Sequence, residues 1–130
     1  MGGDGDPSKR GVVATASYAA REYGVHSGIP LRTAARRCPD AVFLAVDRPA
    51  YEAVSEQIME VLRGLTPAIE VMGWDEAFLA VAADEPELFA RQVQDRVLDA
   101  TQLVCSVGIR PNRLQAKLAT GLANRPGSFA

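Results

Sequence analysis

Apolar residues recur at helical spacing through the middle of the chain, at Tyr51, Val54, Ile58, Val61, Leu62 and Leu65. This spacing predicts one long amphipathic helix from Arg48 to about Leu65. Similar patterns predict a helix over residues 84–101, which buries Phe89, Val93 and Val97, and a last helix over residues 113–123, with Leu114, Leu118 and Leu122 on one face. Two short helices, over residues 17–23 and 30–38, are bounded by glycine and proline.

Short β-type stretches alternate with these helices. Strands are predicted over residues 11–15, 41–46 and 103–109, and a hairpin over residues 69–81 has Gly-Trp-Asp-Glu at its tip. From the hairpin onward, the order strand, strand, helix, strand, helix is most of a ferredoxin-like unit, which has one more strand and a helix at its start. We therefore predict an α+β fold with an incomplete ferredoxin-like part, an antiparallel sheet with two helices, beside a small helical subdomain.

Composition narrows the class of protein without identifying it. The chain has 130 residues, 48% hydrophobic and 23% charged, which suits one ordinary globular domain. A net charge of −2 means that any basic surface is local, and no apolar run is long enough to predict a membrane span. Residues 1–10 have the composition of a flexible leader and lack the apolar stretch of a signal peptide. Cys38 and Cys105 lie far apart in sequence, as expected for reduced thiols, so we predict a cytoplasmic location.

The adjacent acidic pair Asp75 and Glu76 is the first candidate for chemistry. Neighbouring side chains of a regular strand point to opposite faces, so both carboxylates reach one site only from a turn, which Gly73 permits. A divalent cation would relieve their mutual repulsion. The alternative is a solvated hairpin tip with two ordinary surface acids.

Two further segments carry groups that suit phosphate. Thr15, Tyr18 and Arg21 lie where a strand ends and a helix begins, a place that favours anions. The alternative there is a Ser or Thr N-cap with Arg21 on the surface. Arg113 and Lys117 lie one turn apart on the last predicted helix, with Arg110 and Arg125 at its ends, and form either a basic edge or a solvated face. These alternatives stay open on the pattern alone.

Three motifs, in order, resemble Y-family (translesion) DNA polymerases of the DNA polymerase IV type. Residues 14–30, Ala-Thr-Ala-Ser-Tyr-Ala-Ala-Arg-Glu-Tyr-Gly-Val-His-Ser-Gly-Ile-Pro, are similar to the fingers pattern of Ser/Asn-Tyr-x-Ala-Arg, aromatic-Gly-Val and Ser-Gly-Met-Pro. Residues 73–79, Gly-Trp-Asp-Glu-Ala-Phe-Leu, resemble the palm motif Ser-Ile-Asp-Glu-Ala-Tyr-Leu. Residues 105–119 resemble Ser-x-Gly-Ile-x-x-Asn-Lys-x-Leu-Ala-Lys-x-Ala. After the leader over 1–10, the resemblance implies fingers over 11–66 and part of a palm over 67–130.

The resemblance also implies roles for single residues. Asp75 matches a metal-binding aspartate and Glu76 the neighbouring catalytic glutamate. Tyr18, Arg21 and Lys117 match residues that bind the triphosphate of the incoming nucleotide, with the Thr15 hydroxyl nearby. The implied activity is template-directed nucleotidyl transfer with two Mg²⁺ ions, in translesion synthesis and DNA repair, on primer-template DNA and dNTP.

One family motif has no counterpart in the chain. The acidic-aromatic strand Asp-Met-Asp-x-Phe-Phe, which supplies another metal-binding aspartate, has no match, and this absence corresponds to the strand that the sheet lacks. We therefore expect a fragment that is inactive as an isolated chain and that self-associates through uncovered apolar surface. The alternatives are a non-catalytic nucleotide- or DNA-binding module that uses Arg21, Arg113 and Lys117, and a nucleotide-cyclase-like palm, which would not explain the fingers motif.

Overall fold

A computed structural model describes residues 3–123 as five helices and one antiparallel sheet of two strands. In chain order the elements are α1 (Tyr18–Glu22), α2 (Leu31–Arg37), α3 (Arg48–Leu65), β1 (Ile69–Val71), β2 (Ala77–Leu79), α4 (Pro86–Thr101) and α5 (Arg113–Ala123). The predicted α+β class is confirmed, and all five predicted helices form. The chain separates into two compact units at Arg48, a point within the predicted fingers segment of 11–66. The division into leader, fingers and palm stays a prediction, and Arg125 lies outside the described residues.

The first unit packs α1 and α2 on a small apolar core formed by Val13, Ala16, Ala20, Val25, Leu31 and Ala34. Val13 donates its amide to the Ile29 carbonyl at 2.9 Å and accepts from the Gly28 amide at 2.8 Å, which joins the loops around the core. Residues of the predicted leader contact the same unit, because Arg32 Nη2 donates to the Ser8 carbonyl at 2.9 Å.

The predicted strands over residues 11–15 and 41–46 are wrong as strands. The first contributes a single bridge between Val12 and Pro30. In the second, the Val46 amide donates to the Gly3 carbonyl at 3.3 Å, while Val42 and Leu44 are exposed. A β-strand needs a ladder of successive bridges to a neighbouring strand, and neither segment forms one.

The second unit has a core between α3 and α4, made by Met59, Leu62, Val93 and Val97. The β1–β2 hairpin packs on this core with Ile69 opposite Leu79, Glu70 opposite Phe78 and Val71 opposite Ala77. Buried Thr66 follows α3, and its hydroxyl donates to the Ala80 carbonyl at 3.2 Å. The hairpin is thereby held to the C-terminal end of α3.

The segment of residues 103–109, predicted as a strand, is irregular in the structure. Cys105 and Val107 pack on the core as a strand would, so the apolar pattern was correctly located. The Cys105 carbonyl, however, accepts a hydrogen bond from Gln94 Nε2 of α4 at 3.0 Å, a side-chain bond that provides no ladder. None of the helices in the described part of the chain is long and apolar enough to cross a membrane.

Helix α5 contacts the unit through its small residues. Ala119 is buried, whereas the three leucines that share a face, Leu114, Leu118 and Leu122, are more than half exposed. Gly108 explains why small residues face inward: a Cβ placed on it would lie 2.4 Å from the Ala116 carbonyl oxygen. The segment that contains Gly108 and helix α5 therefore touch backbone to backbone.

Candidate active site

The acidic pair lies at the tip of the β1–β2 hairpin, in a turn rather than in a strand. The Met72 amide donates to the Glu76 carbonyl at 2.9 Å and closes the turn. Gly73 has a φ of +143°, which residues with a side chain rarely adopt, so glycine is needed there. Asp75 is exposed and Glu76 is partly buried. The predicted turn with two acidic residues is present.

Glu76 forms an ion pair with Lys117 of α5, through Oε2 and Nζ. The two residues are 41 positions apart in sequence and are brought together by the packing of α5 near the hairpin. The Lys117 side chain remains 56% exposed and that of Glu76 32% exposed, so the ammonium group is reachable from solvent. The ion pair neutralises one of the two adjacent carboxylates and reduces their repulsion.

Arg113, one turn before Lys117 on α5, also faces the hairpin. Its Nη2 lies 2.5 Å from Glu70 Oε1, and its Cζ lies 4.8 Å from the centre of the Phe78 ring. An exposed ion pair contributes only ~0–1 kcal/mol to the free energy of unfolding. These contacts therefore matter more for the orientation of the basic side chains than for stability.

The acidic and basic residues line one cavity of about 880 Å³ within the second unit. Its polar lining includes Asp75, Glu76, Arg110, Arg113 and Lys117, and its apolar lining comes from α3, α4 and the hairpin. Cys105 also lines it, and burial raises the pKa of that thiol, which keeps it protonated and a poor nucleophile. A cavity with carboxylates and several cations suits a ligand that carries both phosphate groups and a divalent cation.

The predicted phosphate residues of the first unit form a cluster of their own. Ser17 caps α1 by accepting from the Ala20 amide at 3.3 Å, and Arg21 Nε donates to the Ala16 carbonyl at 2.9 Å. The Arg21 guanidinium lies over the Tyr18 ring, with Cζ 4.9 Å from its centre. Thr15, Tyr18 and Arg21 are all exposed. The structure thus groups the predicted site residues in two sets, one in each compact unit.

Carboxylate oxygens are the donors that suit a hard cation at the hairpin tip. Asp75 and Glu76 supply them, and hard divalent cations such as Mg²⁺ take such oxygens together with water and phosphate oxygens. Among residues 3–123, no group of three or more histidine, cysteine, aspartate or glutamate side chains is placed to hold a metal ion. The pair fits a cation that takes its remaining ligands from substrate and water.

Comparison with known proteins settles the family. The family model described as impB/mucB/samB matches residues 3–121. The chain belongs to the impB/mucB/samB family. One relative, DNA polymerase IV 2 of Mycobacterium tuberculosis, is 51% identical over 133 residues, which cover 99% of this chain and 38% of that protein. The chain therefore spans well under half the length of this relative.

Solved structures give the same assignment. The insertion ternary complex of Dbh DNA polymerase superposes with a TM-score of 0.84 at 33% identity, over 91% of this chain and 36% of that one. A Y-family DNA polymerase chimera superposes with a TM-score of 0.87 at 31% identity, over 95% of this chain and 38% of the chimera. The predicted resemblance to Y-family DNA polymerases is confirmed.

Three features of the site were not predicted from the sequence. These are the Lys117–Glu76 ion pair, the stacking of Arg113 on Phe78 and the close approach at Gly108. The spacing of Arg113 and Lys117, one helical turn apart, indicated a shared face but not what that face contacts. Residues far apart in sequence meet through packing, and no local pattern encodes such a meeting.

Proposed function

We propose that this chain is part of a DNA-directed DNA polymerase that performs template-directed nucleotidyl transfer in translesion synthesis and DNA repair. One observation carries the proposal: Asp75, Glu76 and Lys117 line the same cavity in a chain whose relatives include DNA polymerase IV. The partners of the whole protein would be primer-template DNA and dNTP, and its location the cytoplasm.

In the cavity, the acidic pair would serve the cation. Asp75 would hold Mg²⁺ through its exposed carboxylate, and Glu76 would act beside it as the catalytic glutamate. When bound, Mg²⁺ supplies Lewis-acid chemistry in a two-ion mechanism, in which charge on the primer hydroxyl and the leaving pyrophosphate is stabilised. The acidic pair suits this role because its donors are hard oxygens.

Each unit carries its own candidate phosphate-binding groups: Lys117 in the second unit, and the cluster around Arg21 in the first. The Lys117 ammonium is exposed, lies at the cavity and is paired with Glu76. A triphosphate offers this ammonium a stronger anionic partner, which would release the Glu76 carboxylate. Arg21 suits phosphate through its forked donors, and its stacking on Tyr18 restricts where those donors point. Thr15 would add a hydroxyl donor beside them.

We expect the isolated 130-residue polypeptide to lack templated synthesis. Two adjacent carboxylates, without a third acidic side chain clustered beside them in the described residues, are few ligands for two ions. Primer extension in Mg²⁺ tests this expectation, and robust template-dependent products from the isolated chain would refute it. The exposed leucine face of α5 favours self-association of the isolated chain, which light scattering at high concentration would detect.

Binding experiments test the assigned roles without requiring catalysis. We expect dNTP affinity, measured by calorimetry in Mg²⁺, to fall about tenfold in Lys117→Met and in Arg21→Ala, since each removes one charge-assisted phosphate contact. Arg63→Met is the matched control for Lys117→Met, because Arg63 is also an exposed cation in an ion pair, with Glu56, but does not line the cavity. Equal affinity in all three variants would contradict the phosphate-binding roles proposed for Lys117 and Arg21.

The second candidate is a non-catalytic nucleotide- or DNA-binding module. It is favoured by Arg110, Arg113 and Lys117, three cations that line one cavity. The two candidates differ at Asp75: Asp75→Asn should weaken metal-dependent dNTP binding if the polymerase proposal is right. For a module that binds phosphate through its cations alone, the same substitution should leave binding unchanged or strengthen it, because it removes a negative charge.

A further inference from the structure

An aromatic contact links the turn that carries the acidic pair to the long helix. Trp74 immediately precedes Asp75, and its ring centre lies 6.3 Å from that of Tyr51 on α3, with the ring planes inclined by 58°. Tilted pairs at this distance are a favoured aromatic geometry, because the positive ring edge meets the negative face of the partner. The Tyr51–Trp74 pair therefore joins a hairpin tip to a helix of eighteen residues.

Both rings remain substantially exposed, which argues against a simple role in core packing. Trp74 is 40% exposed and Tyr51 is 46% exposed, and the core of this unit is formed by other residues. The contact thus lies outside the core of this unit. It attaches the turn that carries the acidic pair to α3.

The aromatic pair acts on the turn beside the Glu76–Lys117 ion pair, at the end of a short hairpin. Each strand of the hairpin has three residues, and isolated two-stranded hairpins are marginally stable. One backbone bond, from the Met72 amide to the Glu76 carbonyl, closes the turn, and Gly73 within it has wide conformational freedom. A carboxylate on such a turn has a defined direction when a side chain of another element, here Tyr51 of α3, packs against the turn.

We propose that Tyr51 is a positioning residue for the cation site: by packing on Trp74 it fixes the turn of residues 72–76 and hence the direction of the Asp75 carboxylate. The inference rests on the proposed role of Asp75 as a cation ligand. Tyr51 is not among the residues that line the cavity with the acidic pair. Its ring, rather than its hydroxyl, carries the effect.

Amide exchange measured by NMR tests whether Tyr51 holds the turn, without any ligand. In Tyr51→Ala we expect exchange of the Met72 amide to accelerate about three- to tenfold, as the loss of one aromatic pair implies. The Ala80 amide, bonded to the Ala68 carbonyl at the other end of the hairpin, should keep its rate. Tyr51→Phe should exchange like the parent chain, and Tyr23→Ala, which removes an exposed tyrosine from the other unit, serves as the control. An unchanged Met72 rate in Tyr51→Ala would overturn the proposal.

Mn²⁺ titration then tests whether the held turn matters for the cation. Trp74 is the only tryptophan in the sequence, so quenching of tryptophan fluorescence by Mn²⁺ reports binding beside it. We expect the dissociation constant to rise about three- to tenfold in Tyr51→Ala and to stay within about twofold in Tyr51→Phe. Faster Met72 exchange with unchanged Mn²⁺ affinity would refute the positioning role. Equal Mn²⁺ affinity in the parent chain and Asp75→Asn would instead refute the proposed function, while the exchange result still decides whether Tyr51 holds the turn.

Discussion

Replacement of Gly108 by alanine offers a sharp test of how α5 is held against the rest of its unit. A Cβ at this position would lie 2.4 Å from the Ala116 carbonyl oxygen and 2.5 Å from both the backbone nitrogen and the hydroxyl oxygen of Thr120. Two of these three atoms belong to the backbone of a helix, so no change of side-chain rotamer relieves the clash. The helix or the segment must move by about 1 Å to reach an ordinary contact distance.

Two opposing effects determine how Gly108→Ala changes the free energy of unfolding. Overpacking of this kind destabilises by ~1–3 kcal/mol. Alanine in place of glycine gains ~0.4–1 kcal/mol by restricting the unfolded chain, and no positive φ opposes it at Gly108. The net expectation is a loss of about 1–2 kcal/mol in the free energy of unfolding, which lowers the Tm by about 4–8 °C for a chain of this length.

Urea unfolding followed by Trp74 fluorescence reports on the second unit directly. Gly121→Ala is the matched control, because it makes the same change on α5 where an added Cβ would meet nothing within 4 Å. That variant should be stabilised by ~0.5–1 kcal/mol, since alanine favours helix over glycine. If Gly108→Ala proves as stable as Gly121→Ala, the close approach between the segment and α5 is not a feature of the folded protein.

Three further outcomes are expected. Arg113→Ala should lower the free energy of unfolding by ~0.5–1 kcal/mol in the same fluorescence assay. Arg113→Lys should recover part of this loss, since lysine keeps the charge opposite Glu70 but cannot stack a planar group on Phe78. Burial raises the pKa of Cys105 above its ordinary 9.0, so the folded chain keeps a proton that the unfolded chain releases. The free energy of unfolding, measured in urea, should therefore fall as the pH rises through 9.0. An equal fall in a Cys105→Ala variant would contradict this. Ser17→Ala should destabilise α1 by ~0.5–1 kcal/mol, measured by circular dichroism, whereas Ser17→Asp, which preserves the cap, should not.

The elements that the sequence located well are those in which local spacing and packing agree. The α3 stripe gave both ends of that helix correctly, and the second half of the helix, residues 58–65, packs on the core of its unit. Gly73 was recognised as the residue that allows both acidic side chains to lie in a turn, because only glycine readily adopts its φ of +143°. At these positions, the residue that the local sequence pattern favours is also the residue that the folded structure needs.

The sequence was less informative where a residue depends on a distant partner. Residues 103–109 have the apolar pattern of a strand, yet a strand also needs a neighbouring backbone, and here the Gln94 side chain occupies the Cys105 carbonyl. The leucines of α5 have helical spacing but lie on its exposed face, because Gly108 admits only small residues on the inner face. The ion pair of Lys117 with Glu76 also depends on a distant partner, since the two residues are 41 positions apart in sequence.

The two contacts of Arg113 have a consequence for the register of the hairpin. Glu70 and Phe78, which Arg113 pairs with and stacks on, are direct cross-strand partners. If one strand slipped by a single residue, its side chains would turn to the opposite face, and one of these two would leave the reach of the guanidinium. Arg113 therefore selects one alignment of the strands, and that alignment decides which residues form the turn and carry their carboxylates to the cavity.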